Sequence, residues 1–136
     1  MQLNAYLSFN GQCEEAFRFY EKCLGGNIQA MMTWGDSPMA DQVASDLRGK
    51  IIHASLMVGD DALLGADSPP DRYEAPRGVG VTIQLQDNTK AERIFSALSE
   101  GGTVTMPIQQ TFWAARFGMV TDRYGVPWMV NCGEPS

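Results

Sequence analysis

Apolar residues recur along this chain with two spacings, and the switches between them mark out its elements. Residues 4–9, Asn-Ala-Tyr-Leu-Ser-Phe, alternate as a strand does, and Asn10-Gly11 offers a turn and a helix cap. From Gln12 to Leu24 the apolar positions Ala16, Phe17, Phe19, Tyr20, Cys23 and Leu24 follow helical spacing. Glu14 and Glu15 suit the dipole of the first turn, and Gly25 supplies the stop. Ile28 to Trp34 reads as a second strand. Residues 35–50, rich in Gly, Asp, Ser and Pro, loop out with room for one short helix. Ile51–Val58 is a third strand, Gly59-Asp60-Asp61 a hairpin turn and Ala62–Ala66 a fourth strand.

The pattern then restarts. Asp67 to Gly78, with three prolines and no periodicity, connects the first module, about residues 3–66, to a second at about 79–133. Gly80–Gln86 is a strand, and Asp87 or Asn88 caps a helix whose Ala91, Ile94, Phe95 and Leu98 share a face. Gly101-Gly102 ends it, and strands follow at Thr103–Ile108, Ala115–Thr121 and Pro127–Cys132. Residues 4–34 lie on residues 80–110 without a gap, Gly25-Gly26 falling on Gly101-Gly102 and Phe19 on Phe95. Only three of those 31 positions are identical, so the repeat rests on the order of its elements. The expected fold class is α+β: two βαβββ modules in one domain of 136 residues, forming a curved mixed sheet around a central cavity. The second module lacks about eleven residues of the 35–50 excursion, a segment placed to act as a lid or to be a plain surface insertion.

Composition narrows the function. A chain of roughly 150 residues buries about 68–70% of its unfolded surface, so a hydrophobic core suffices without disulfide or structural metal. With 44% hydrophobic and 19% charged residues and no apolar run of membrane-spanning length, a soluble protein without a membrane partner is expected. Met1-Gln2-Leu3-Asn4 lacks the features of a secretory signal, and Cys13, Cys23 and Cys132 form no Cys-x-x-Cys pair. Both point to a cytoplasmic protein with free thiols. The net charge of −6 and ten scattered Lys and Arg argue against nucleic acid.

Three segments carry a resemblance: Phe19-Tyr20-Glu21-Lys22-Cys23-Leu24-Gly25-Gly26, Ile52-His53-Ala54-Ser55-Leu56, and the run from Phe117-Gly118-Met119 through Asp122-Arg123-Tyr124-Gly125 to Pro127-Trp128-Met129-Val130-Asn131. With the doubled module, they make the chain similar to the PhnB-like branch of the vicinal oxygen chelate superfamily, which includes glyoxalase I, bleomycin-resistance proteins and extradiol dioxygenases. That branch has also carried a demethylubiquinone methyltransferase label, yet no glycine-rich cofactor loop follows a strand here, and a nucleotide-binding methyltransferase fold needs more chain. The resemblance implies a homodimer. It also implies metal positions, one on the first and one on the last strand of each module, which fall near Ala5, Leu64, Gly80 and Met129. Neither these residues nor their sequence neighbours include His, Asp, Glu or Cys, so no metal and no cofactor is expected.

Alternation nominates the side chains that face the hollow. If Leu7 and Phe9 turn toward the helices, Tyr6 and Ser8 face the hollow; burying Ile52, Ala54, Leu56 and Val58 leaves His53, Ser55 and Met57 there. Gly80, Thr82 and Gln84 follow in the second module. Burying Phe117, Met119, Trp128 and Val130 adds Arg116, Gly118, Met129 and Asn131. Trp34, Phe112 and Trp113 sit at strand ends, where they can roof a pocket and stack on a flat ligand or simply pack at a rim. Arg116 suits a carboxylate or phosphate, and the eight methionines suit an adaptable apolar wall or ordinary core filling. Cys13 lies at a helix start, where the dipole can lower a thiol pKa, but no basic partner is visible.

Three functions compete. The first is metal-independent binding of an apolar or aromatic small molecule with one polar or anionic handle. In the second, His53, the one histidine, acts as acid or base on a carbonyl substrate beside Ser55, Arg116 and Asn131. Otherwise His53 is a hydrogen-bonded strand residue. The third is a metal-dependent lyase or dioxygenase.

Overall fold

The local patterns produce the elements they predict. The computed structural model describes residues 1–134. The first module runs β1 (Ala5–Phe9), α1 (Cys13–Leu24), β2 (Asn27–Thr33), β3 (Ile51–Val58) and β4 (Asp61–Asp67). The second runs β5 (Val81–Leu85), α2 (Asn88–Ser99), β6 (Thr103–Gln109), β7 (Arg116–Thr121) and β8 (Pro127–Cys132). In place of one short helix, the excursion holds three 3-10 turns at Trp34–Asp36, Ala40–Gln42 and Ser45–Leu47. The chain divides into two compact units, Met1–Ala75 and the part from Pro76 onward, with the boundary inside the predicted connector.

Each unit is a four-stranded mixed sheet with one helix against it. The strand orders are β1-β4-β3-β2 and β5-β8-β7-β6, with the first pair parallel and the others antiparallel. The same topology twice, with Gly25 and Gly101 both at φ 74° as their helices end, confirms the repeat. A left-handed residue is needed there to turn the chain into the next strand, and only glycine adopts it without steric cost.

The cores lie between helix and sheet. In the first unit Phe17, Tyr20 and Cys23 of α1 are buried with Leu7, Phe9, Leu56 and Leu63. The Phe17 ring meets Phe9 and Tyr20 edge-on at 6.1 and 6.0 Å between centroids. In the second unit Ile94, Phe95 and Leu98 of α2 are buried with Val120, Trp128 and Val130. Both helices come close because a glycine leaves space for a phenylalanine ring. A Cβ on Gly65 would lie 2.7 Å from Phe17, and one on Gly118 would lie 2.6 Å from Phe95.

Two buried carboxylates organise the backbone. Asp67, 1% exposed at the end of β4, accepts the N–H groups of Gly11 and Cys13 on Oδ1 at 2.9 and 3.0 Å and that of Ile51 on Oδ2 at 2.9 Å. It caps α1 from outside, because Gln12, the residue before the helix, makes no side-chain cap. Asp122 accepts Tyr124 and Val126 N–H on Oδ1 at 2.8 and 3.0 Å and the Trp128 indole N–H on Oδ2 at 2.8 Å, holding the β7–β8 hairpin.

Candidate functional site

In each sheet one face meets the helix and the other carries the candidate residues. Directly opposed residues of neighbouring strands share a face. In the first sheet Leu7 pairs Gly65 and Ala54 pairs Gly65, all on the α1 side. The face away from α1 therefore holds Tyr6 opposite Leu64 and Ser8 opposite Ala66, with Ser55 beside Leu64 and His53 beside Met32. Tyr6, Ser8, His53, Ser55 and Met57 thus lie on the face that alternation assigns them. Ser8 and Ser68 share a hydroxyl–hydroxyl hydrogen bond of 2.8 Å, and His53 is exposed.

Trp34 lies elsewhere in this unit. Its backbone N–H donates to Lys50 O at 2.8 Å, and its indole N–H donates to the Asp67 carbonyl at 3.1 Å. The ring lines a cavity of about 380 Å³ between the excursion and residues 69–72.

In the second sheet the face away from α2 carries Thr82 opposite Met129, Gln84 opposite Asn131, Phe117 opposite Asn131 and Met119 opposite Met129. Phe117 packs edge-on against Trp113 at 5.0 Å, and Trp113 against Phe112 at 4.7 Å. Phe112 is 89% exposed and Trp113 43%, while Phe117 beneath them is 9% exposed. Next to Phe117, Asn131 Oδ1 is, among the described residues, the buried side-chain nitrogen or oxygen atom that has no hydrogen-bond partner. Such an orphan acceptor costs about 1–3 kcal/mol unless something donates to it.

The placement of Arg116 and Gly118 on this face is corrected. Arg116 pairs Cys132, whose Sγ reaches Asn88 of α2 at 3.2 Å, and the Arg116 Nε donates to Glu92 of α2 at 2.7 Å. Gly118 likewise faces Phe95. Hydrophobicity alone turns Phe117 toward the helix, but its ring is buried on the other face under Trp113, and the strand follows. A glycine amid a strand marks close approach of another group, and at Gly118 that signal gives the observed orientation. The same signal recovers Phe117 and Met119, both of which the face assignment turns toward the helix. Of the candidates, Trp113 and Asn131 flank Phe117, Phe112 packs on Trp113, Met129 shares the face with Asn131, and Arg116 lies on the other face.

Nothing in this arrangement resembles a cation cage. The implied metal positions carry Ala5, Leu64, Gly80 and Met129, and the pairs beside them on the strand faces are Tyr6/Leu64 and Thr82/Met129. Among the described residues no three His, Cys, Asp or Glu gather where they could hold an ion. Cys13 is fully buried, and burial first, then Asp67 and Glu14, pushes its thiol well above the usual range, opposite to the effect expected of the helix start. The Asp67 carboxylate already occupies the N–H groups through which the dipole would act.

Paired βαβββ modules, each a mixed four-stranded sheet backed by one helix, are the architecture of the vicinal oxygen chelate superfamily. The family model described as 3-demethylubiquinone-9 3-methyltransferase matches residues 1–131. The chain is 31% identical over 139 residues to protein YjdN of Escherichia coli (strain K12), covering 96% of this chain and 95% of YjdN. It superposes on protein PA1353 of Pseudomonas aeruginosa with a TM-score of 0.90 at 48% identity, over 98% of each chain. A PhnB protein of Bacillus cereus shares the fold, with a TM-score of 0.81 at 21% identity, over 98% of this chain and 100% of that one. The chain belongs to the PhnB-like branch of this superfamily.

Proposed function

We propose that the protein binds a small apolar or aromatic molecule without a metal ion, and that the molecule donates a hydrogen bond to Asn131. The observation that carries this reading is the buried, unpartnered Asn131 Oδ1 beside an aromatic group whose outer members are exposed. Apolar lining with one oriented polar atom is the usual composition of a small-molecule site. The handle is then a hydroxyl or N–H, rather than the anion that Arg116 on this face would have selected. The residues at the implied metal positions offer no oxygen, nitrogen or thiolate from their side chains, which supports binding by protein groups alone.

Asn131→Leu tests the reading. Leucine has similar volume and removes the orphan acceptor, so the unliganded variant is expected to be more stable than the parent by about 1 kcal/mol. It is also expected to lose any compound that native mass spectrometry finds retained on the parent. A variant that is less stable, or that keeps the compound, counts against a ligand-facing Asn131.

A further inference from the structure

The cavity in the first unit uses none of the residues in that reading and has a chemistry of its own. It lies between the excursion that the second unit lacks and the stretch Pro69–Arg72. At about 380 Å³ it falls within the range of small-molecule pockets, about 300–1,000 Å³. Its walls are Trp34, Val43, Leu47 and Pro69, and Asp46, Asp71 and Arg72 also line it.

The walls are held in place without a ligand. Trp34 is fixed by its indole bond to the Asp67 carbonyl, and Asp67 itself ties down Gly11, Cys13 and Ile51. The Gly35 N–H donates to Arg48 O at 2.9 Å, and the Ser37 hydroxyl donates to Trp34 O at 2.7 Å. Because the indole N–H is already engaged, Trp34 has only its ring surface to offer an occupant. A π surface favours flat apolar groups and, by its quadrupole, positive charge.

The charged groups lining the cavity point the same way. Among the described residues, Asp46, Asp71 and Arg72 have no ion-pair partner within 4.0 Å; Arg48 pairs instead with Asp41 at 3.7 Å. Two carboxylates against one guanidinium leave this lining with net negative charge.

We propose that this cavity is a second ligand site, which takes a flat aromatic organic cation with its ring against Trp34 and its charge toward Asp46 and Asp71. The apolar walls supply most of the affinity, and the exposed carboxylates add a preference of a few-fold, because charges in water are screened.

Three compounds of one shape test this: 2-naphthylmethylammonium, 2-naphthylmethanol and 2-naphthoate, titrated into the intact protein while the Trp34 indole N–H signal is followed by NMR. The cation is expected to shift that signal and bind at least threefold more tightly than the alcohol, with the carboxylate weakest. Ala44→Trp places bulk in the cavity from an exposed position and is expected to abolish binding, whereas Asp46→Asn with Asp71→Asn removes the preference and leaves the alcohol unaffected. Asn131→Leu is expected to change nothing here, which separates this site from the one proposed above. Binding that survives Ala44→Trp, an alcohol that binds as tightly as the cation, or no binding by any of the three up to millimolar concentration would overturn the proposal.

Discussion

Glycine and phenylalanine meet twice in this protein, and the two meetings differ in what could relieve them. The three atoms nearest a Cβ on Gly118 all belong to the Phe95 ring, at 2.6, 3.0 and 3.0 Å. One on Gly65 would meet the Phe17 ring at 2.7 Å and the Leu7 carbonyl oxygen at 2.9 Å. Overpacking of this kind costs about 1–3 kcal/mol. Gly118→Ala is therefore expected to destabilise by that amount in urea unfolding, and adding Phe95→Leu should recover part of the loss, a non-additive pair. Phe17→Leu should rescue Gly65→Ala less well, because a backbone oxygen cannot move aside as a ring can. Strictly additive losses at Gly118 and Phe95 would show that the ring is not the obstacle.

The two helices start in different ways although they occupy equivalent places. In α2 the residue before the helix, Asp87, accepts the Lys90 N–H on its own side chain at 3.1 Å. In α1 the corresponding duty falls to Asp67, which reaches in from β4, and the equivalent end of β8 carries Cys132. Asp87→Ala is expected to cost about 1 kcal/mol, the usual value of an N-cap. Asp67→Ala leaves two buried backbone donors and one part-buried donor without their acceptor and unties α1, β3 and β4, so a loss of about 3 kcal/mol or more is expected. Chemical denaturation of both variants distinguishes them, and equal losses would mean that Asp67 acts only as a cap. Asp87 could be read as a cap from its position, whereas Asp67 could not. Only the fold brings a residue 54 positions away to the start of α1.

Two copies of one module in a single chain can diverge separately. The second unit is the plain module, and the first carries an excursion and, beside it, a cavity. Among the described residues neither offers a cation a set of ligands, so stability should be indifferent to divalent ions. An ion present at a hundredfold its dissociation constant stabilises by about 2.7 kcal/mol, which for a chain of this size raises Tm by roughly 10 °C. Thermal unfolding with chelator, and with added zinc, nickel or magnesium, is expected to give the same Tm within about 1 °C. A rise of the larger size with any of them would refute the metal-free reading.

The amino-acid sequence determined the elements, their order and their doubling, because helix and strand periodicity, caps and glycine stops act over a few residues. Each strand lies within one residue of its expected limits, and β3 and β8 match theirs. It also determined the side chains at the implied metal positions, since those follow from strand order. Hydrophobicity turned β7 the wrong way; only Gly118 hinted at its direction, and the tertiary structure fixed it, putting Phe117 rather than Arg116 beside Asn131. Cross-strand register and the cover of Trp113 are non-local, and hydrophobicity cannot tell burial under a helix from burial under a loop. For the same reason the Asp67 cap and the cavity beside Trp34 emerge only once distant segments have packed together.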